Sequence, residues 1–583
     1  MLDFRLGSRD LAEASPKVRR WDIYLSPASC PKELSVITDA NDSLSKDLTR
    51  ALTEIISETN GISLSDTLEL MANSENMKHK PNIQKLAVEF RNLLFQFQSD
   101  QVGMDTLLHH PMANGLFGFF KSFPLAYRDQ HTHLTGALSA DFIYPRIKKL
   151  LEGPNKAVYE AKIKAIYGPS SLPIKSVEDV ARLLSLKDDE RFSRYLSILM
   201  LPKLLLIDRE AHKAAAFHMA NELYNKYNVG FIRLKFTLSR ASQDEAESVP
   251  GLENLTEDDV VLGLYEGFME FKKQTPGWDF ILSPSFRKEA QAFDHKKFKT
   301  KGEHFLAQVR TLLELREKYP FLKPYLCEVD TVGNEQELFR KSHFLDMKIG
   351  FRKLQYRGFR IRSHHGEVWK TLRKGIQAVD NAMNIWRIDT LEHGLSLGIN
   401  PNFYFHSLYQ RVLKWNRRGE AIRPGTPEFN EVSEMDWAEQ HMHVRDKLIT
   451  GTALSDEDVR LFTKAKFHTA REVEIYQHDV LDRMIDKGVS LVSLPSSNNK
   501  LTNNFEDYKD HPFSWWEKKG LELGIGTDNY VTLGTNFIQE LLIVLFADPQ
   551  GLKITKLLMV ATGEDRRPYL SRLFWQMRKA QEG

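Results

Sequence analysis

The chain has 583 residues, 42% of them hydrophobic and 27% charged, which is enough apolar material for a large core and excludes wholesale disorder. Lys and Arg number 80 against 78 Asp and Glu, and a net charge of +2 leaves no basic excess of the kind that marks a nucleic-acid or anionic-membrane surface. Cys30 and Cys327 are the only cysteines, so a disulfide framework and a cysteine-rich zinc site are both excluded.

The N-terminal residues carry no apolar stretch followed by small cleavage residues, and the longest clean apolar run, 541–547, is far short of the roughly 20 residues of a membrane-spanning helix. With so little cysteine, a cytoplasmic location is expected. Residues 43–57, 63–71 and 83–97 have apolar side chains at helical spacing. In the last of these, Leu86, Phe90, Leu93, Leu94 and Phe97 predict one buried stripe. Residues 1–123 are therefore read as a helical region, and no Gly-rich loop after a strand suggests a dinucleotide fold there.

From residue 124 the pattern changes. Strand-like runs at 125–128, 230–237, 278–282, 325–330, 359–363, 387–391, 489–494 and 521–526 alternate with helical stretches. The clearest helices are predicted at 141–151, 258–273, 304–319, 367–384 and 536–546. Eight strands alternating with helices predict an α/β fold, a (β/α)8 TIM barrel over 124–583. Two stretches exceed barrel connections. Residues 157–227, with helices at 184–207 and 209–227, separate the first two strands, and 401–487 separate the sixth from the seventh. Such insertions cover an active site or build an oligomer contact.

The chemistry-bearing residues gather at strand ends. His131 and His133 form an H-x-H at the end of the first strand, where alternate residues share a face and two imidazoles can meet one ion. His364-His365-Gly366-Glu367 follows the fifth strand, with Glu367 predicted to open the next helix. Glu392-His393-Gly394 ends the sixth and Gly526-Thr527-Asp528-Asn529 the eighth. Each is unremarkable alone; together they occupy the C-terminal rim, where barrel enzymes collect their catalytic groups.

In this order HTHLTGAL, HHGE, EHG and TDN resemble the H-x-H-L-x-G, H-A-G-E, G-H-G and T-D-D-P patterns of the adenosine/AMP deaminase branch of the amidohydrolase superfamily. Asp330-Thr-Val-Gly-Asn-Glu335 and Leu494-Pro-Ser-Ser-Asn498 are similar to two further elements of that family, and the likeness covers about 126–548. The resemblance implies one Zn²⁺ per chain held by His131, His133, His364 and Asp528, and hydrolytic deamination of an adenine nucleoside or nucleotide. Glu367 would protonate purine N1 and shuttle a proton to the departing amine. His393 would orient the attacking oxygen, and the Gly333 N–H would meet purine N3. The expected partner is a small purine nucleoside or nucleotide, with no nucleic acid and no membrane.

Three positions depart from the family pattern. Asn529 replaces a second Asp, yet its amide can donate to purine N7. Thr135 replaces an acidic residue that holds a ribose 5′-hydroxyl, and without that carboxylate a 5′-phosphate is no longer repelled, which favours AMP, dAMP or a longer phosphate chain. Thr237, Arg240 and Lys500 are candidates for the phosphate end. His365 replaces a small residue. His406, His441, His443, His468 and His478 in the second insertion have mixed spacing and read as solvated or capping groups. The N-terminal region and insertions also resemble, in architecture alone, the divergent deaminases of bacterial antiphage systems, which implies a homo-oligomer and a defence partner. A cytidine-deaminase site is excluded for want of P-C-x-x-C. The H-x-x-E on the fifth strand, His364 to Glu367, disfavours a dinuclear amidohydrolase; a catalytically altered deaminase-like nucleotide sensor or scaffold, or another mononuclear amidohydrolase, remains as the alternative.

Overall fold

Tyr127-Arg-Asp-Gln-His-Thr-His is polar at most positions, yet it forms the first strand, β1 (Tyr127–His133), of a sheet that closes on itself. In this computed structural model, residues 43–75, 78, 80–187, 192–238, 249–502 and 507–582 are described. The other strands are β2 (Val229–Phe236), β3 (Asp279–Arg287), β4 (Glu328–Val332), β5 (Arg360–His365), β6 (Thr390–His393), β7 (Ser490–Ser493) and β8 (Leu523–Ile525). Each pairs in parallel with its successor in chain order. A parallel bridge between Thr132 and Asp528 joins the last edge to the first, so the predicted (β/α)8 barrel is present.

Most predicted helices appear within a few residues: Ala140–Glu152, Arg209–Tyr227, Glu257–Gln274, Lys301–Lys318 and Phe537–Ala547. Two differ. The expected helix 184–207 is replaced by the short helices Phe192–Ile198 and Met200–Lys203; the helix before them, Val177–Leu184, ends where it was expected to begin, and Leu186 gives its N–H to the Thr532 carbonyl at 3.0 Å, in the segment after β8. The expected helix 367–384 starts only at Leu372, where the Thr371 hydroxyl accepts the Lys374 N–H, and Glu367 lies outside it. The stripe on Pro81–Gln98 is also shifted. Ile83, Ala87, Phe90, Leu94 and Phe97 are the buried line, while Leu86 and Leu93 are half-buried on its flank.

The helices of 43–121 are bound to the chain that follows β8. Ile554 N–H donates to the Ile62 carbonyl at 3.1 Å, Ser57 Oγ to Phe574 O at 3.0 Å, and Gln98 Nε2 to Ala547 O at 3.0 Å. Outside β2, helices Arg209–Tyr227 and Glu257–Gln274 lie close because Gly263 and Gly267 present no side chain. A Cβ at Gly267 would collide with the Lys213 carbonyl, and one at Gly263 with the Arg209 carbonyl. Gly267→Val is expected to lower the unfolding free energy by about 1–3 kcal/mol through overpacking, read from the urea midpoint.

The second insertion consists of helices Pro401–Asn416, Pro427–Glu434, Met442–Thr450 and the 31-residue Asp456–Asp486. Among the described residues no helix is long and apolar enough to cross a membrane.

Candidate metal centre

β1 does not run regularly to its end. Against β2 it carries an extra residue between Asp129 and Thr132, a bulge that re-aims the side chains beyond it. His131 and His133 then turn towards each other, with their Nε2 atoms 3.0 Å apart. His364, from the end of β5, brings a third Nε2 to 3.3 Å from that of His133. Asp528 follows β8 with φ of 57°, a left-handed turn that sets its Oδ1 at 3.6 Å from His133 Nε2 and 4.0 Å from His131 Nε2.

The seam between β1 and β8 supports this turn. Asp528 N–H donates to the His131 carbonyl at 2.8 Å, and His133 N–H to the Asp528 carbonyl at 3.0 Å. Buried Asp129 accepts from the His131 N–H at 3.1 Å and from the Thr527 hydroxyl at 2.6 Å. Ser497 donates its hydroxyl to Asp528 Oδ2 at 2.5 Å.

The protons are placed by neighbouring carboxylates. His131 donates from Nδ1 to Glu392 Oε2 at 2.8 Å, and His364 from Nδ1 to Asp330 at 3.1 Å. With Nδ1 protonated in a neutral ring, Nε2 carries the lone pair. Burial, reinforced by Lys235 for His131 and by His393 for His364, holds both imidazoles well below the usual histidine range, so they are neutral. Converging lone pairs without a proton between them repel unless a cation sits among them. Metal–nitrogen bonds of about 2.0–2.1 Å in a tetrahedral shell put ligand atoms about 3.3 Å apart, and the imidazole separations fit that spacing. The donor set, three imidazoles and a carboxylate with orienting partners behind, suits Zn²⁺.

Glu367 is beside this cluster, with Oε2 at 3.6 Å from His393 Nε2. Burial pushes its carboxyl above the usual range, partly opposed by His393. His393, the last residue of β6 at φ 66°, is oriented by Asn498, whose Oδ1 is 2.8 Å from Nδ1. Among the described residues, the groups of three or more metal-capable side chains are His131, His133, His364 and His131, His393, Asp528.

The other predicted residues are spread more widely. Asn529 is buried, and its Nδ2 donates to Asp528 Oδ1 and to the Tyr195 hydroxyl, both at 2.5 Å. Tyr195 belongs to helix Phe192–Ile198, so the first insertion reaches the rim. Thr135 is half-buried in the turn Leu134–Gly136, next to His133. Gly333 follows β4 at φ 91°, with the Glu289 carboxylate where a side chain would go. His365 is buried facing outward, bonded to Ser363 Oγ at 2.7 Å and packed on Trp386. Lys500 donates to the Leu533 carbonyl at 2.7 Å, Thr237 is exposed, and Arg240 lies outside the described residues. Of the insertion histidines, His443 meets Asp458 at 3.2 Å, His468 meets Asp436 at 3.7 Å, and His478 packs on Trp515.

Solved amidohydrolases and purine deaminases align with this chain at low identity. A zinc-bound amidohydrolase from Burkholderia ambifaria aligns over 79% of this chain and 93% of its own at 13% identity, with a TM-score of 0.42. An adenine deaminase from Arthrobacter aurescens aligns over 78% and 99% at 12% identity and 0.44. The N6-methyl-AMP deaminase of Arabidopsis thaliana aligns over 79% and 97% at 13% and 0.43. No family model matches the chain, and no curated protein sequence does.

Several residues around the centre have no role that spacing in the sequence assigns. Glu335 is buried and accepts the N–H groups of Gly366 and Glu367 at 2.8 Å each and of Val368 at 2.9 Å. This grip, rather than a helix start, holds Glu367. Lys288, buried at the end of β3, donates to the His364 carbonyl. Inside the barrel, Arg362 donates to Glu392 at 2.6 Å and Arg233 to Glu328 at 2.9 Å. A buried charge reads as an error in a hydrophobic pattern, and only its partner on another strand explains it.

Proposed function

We propose that the chain is a zinc-dependent hydrolytic deaminase of an adenine nucleoside or nucleotide, releasing ammonia and leaving the 6-oxopurine. The observation that carries the reading is the convergence of His131, His133, His364 and Asp528 at the C-terminal mouth of the barrel, with the raised carboxyl of Glu367 beside it. One zinc ion held by these four supplies, when bound, the Lewis acidity that ionises water near neutral pH.

The remaining steps belong to the chain. Glu367 is protonated to a higher pH than an exposed carboxyl, so it can give its proton to the ring nitrogen next to the reacting carbon. His393 directs Nε2 at the same space while Asn498 holds Nδ1, and it orients the attacking water by accepting its hydrogen. The carboxylate left by the first transfer takes up the proton that the attacking water releases, and Glu367 then passes that proton to the amine as the C–N bond breaks. Asp330 is already engaged by His364 and Lys235, which supports one metal over two. The adenine base itself comes from the motif resemblance.

The test is a screen of zinc-loaded protein against adenosine, AMP, dAMP and ATP, reading ammonia and the mass change of amine-to-oxygen exchange. A zinc-loaded protein that yields no ammonia from any adenine compound would overturn the reading, and nucleotide binding without ammonia would favour a sensor. Thr135→Asp places a carboxylate next to His133 and is expected to shift kcat/KM from nucleotide towards nucleoside about tenfold through charge repulsion, measured as the AMP-to-adenosine ratio. The homo-oligomer, the cytoplasmic location and the defence role belong to the same proposal. Light scattering and a phage-challenge assay in cells carrying active or Glu367→Gln protein test the first and last.

A further inference from the structure

The acceptors that orient two of the imidazoles share one cation. Lys235, on β2, is completely enclosed in the barrel, and its Nζ lies 2.8 Å from Glu392 Oε1 and 3.3 Å from Asp330 Oδ2. Glu392 holds the Nδ1 proton of His131, and Asp330 that of His364. Arg362 also meets Glu392, but its other ion pair goes to Glu328 at 3.7 Å. Among the described residues, Lys235 is the lysine or arginine within ion-pair distance of both orienting carboxylates.

We propose that Lys235 is a positioning residue of the metal centre: its ammonium clamps Glu392 and Asp330 together, and through them sets the rings of His131 and His364 at once. The proposal rests on reading the site as a metal centre. The barrel interior here balances three cations, Lys235, Arg233 and Arg362, against three carboxylates, Glu328, Asp330 and Glu392. Removing the shared ammonium leaves two carboxylates in a water-poor space with mutual repulsion and one cation fewer. They relieve it by moving apart, and each carries its imidazole partner with it. Two ligands from strands β1 and β5 thus lose their common alignment through a residue that touches neither ring.

The test measures zinc dissociation constants by chelator competition on the full chain. Lys235→Met keeps the length of the stem and removes the charge, and it is expected to weaken zinc binding about 10–100-fold, the range for partners behind metal ligands. Lys235→Gln keeps a donor without the charge; it is expected to fall between Met and wild type, and it serves if the Met variant does not fold. Adding Asp330→Asn restores the charge balance and leaves an amide oxygen for His364 Nδ1, so the double variant should bind zinc more tightly than Lys235→Met alone. A merely structural role predicts a lower melting temperature of the metal-free protein with unchanged zinc affinity. Affinity within twofold of wild type in both single variants overturns the proposal, as does a double variant whose loss is the product of the separate losses. Wild-type protein that binds no zinc overturns the reading of the site itself, and the proposal with it.

Discussion

Glu367→Gln is expected to abolish deamination, with kcat lowered at least about 10³-fold, while zinc content and purine affinity stay near wild type. The amide has almost the size and shape of the carboxylic acid but no acidic proton to give to the ring. The loop should survive the exchange, because Gly366, Glu367 and Val368 are held by their main-chain N–H groups on Glu335, not by the 367 side chain. The pH profile adds a second check. Burial raises the Glu367 carboxyl, so the competent protonated form persists above the usual carboxylate range and is lost as pH rises through the raised value. The basic limb of kcat/KM that this creates should vanish in the Gln variant's residual activity. A kcat within tenfold of wild type would remove Glu367 from the proton path.

Glu392→Ala is expected to cost about 3–5 kcal/mol of stability in the metal-free protein, the range for breaking a buried ion pair from one side. Glu392 is completely buried and accepts from three donors, His131 Nδ1 and Lys235 Nζ at 2.8 Å each and Arg362 Nε at 2.6 Å. Its loss leaves three cations, Lys235, Arg233 and Arg362, sharing Asp330 and Glu328, and it strips His131 of the acceptor that selects its tautomer. Glu392→Gln, which keeps an oxygen for one donor, should lose less. Urea unfolding of the metal-free proteins gives both differences, and an Ala variant within 1 kcal/mol of wild type would contradict the account.

The strands were legible in the sequence where they are apolar and obscure where they carry chemistry. β2 is found almost to the residue in 230–237, because Phe231, Ile232, Leu234 and Phe236 bury on two faces. β1 is displaced to 125–128 because Asp129-Gln-His-Thr-His carries no apolar signal, although the strand runs on to His133 and brings His131 and His133 to the candidate metal centre. The ligand candidates were visible as motifs at strand ends. What holds them was not: Glu335, Lys235, Asp330 and Arg362 are dispersed over β2, β4, β5 and the loop after β4, and nothing in spacing pairs them. Glu367 shows the same limit. The stretch after it has helical periodicity, but a carboxylate 32 positions earlier takes its N–H and delays the helix to Leu372.

The seam between β1 and β8 bears on how the molecule is made. Residues 131 and 133 leave the ribosome early, while their counterpart at 528 emerges some four hundred residues later. Until then the growing sheet has two open edges. Ring closure and completion of the proposed ligand set therefore fall together late in synthesis, and a metal ion bound by that set would act as a latch on the last strand to dock.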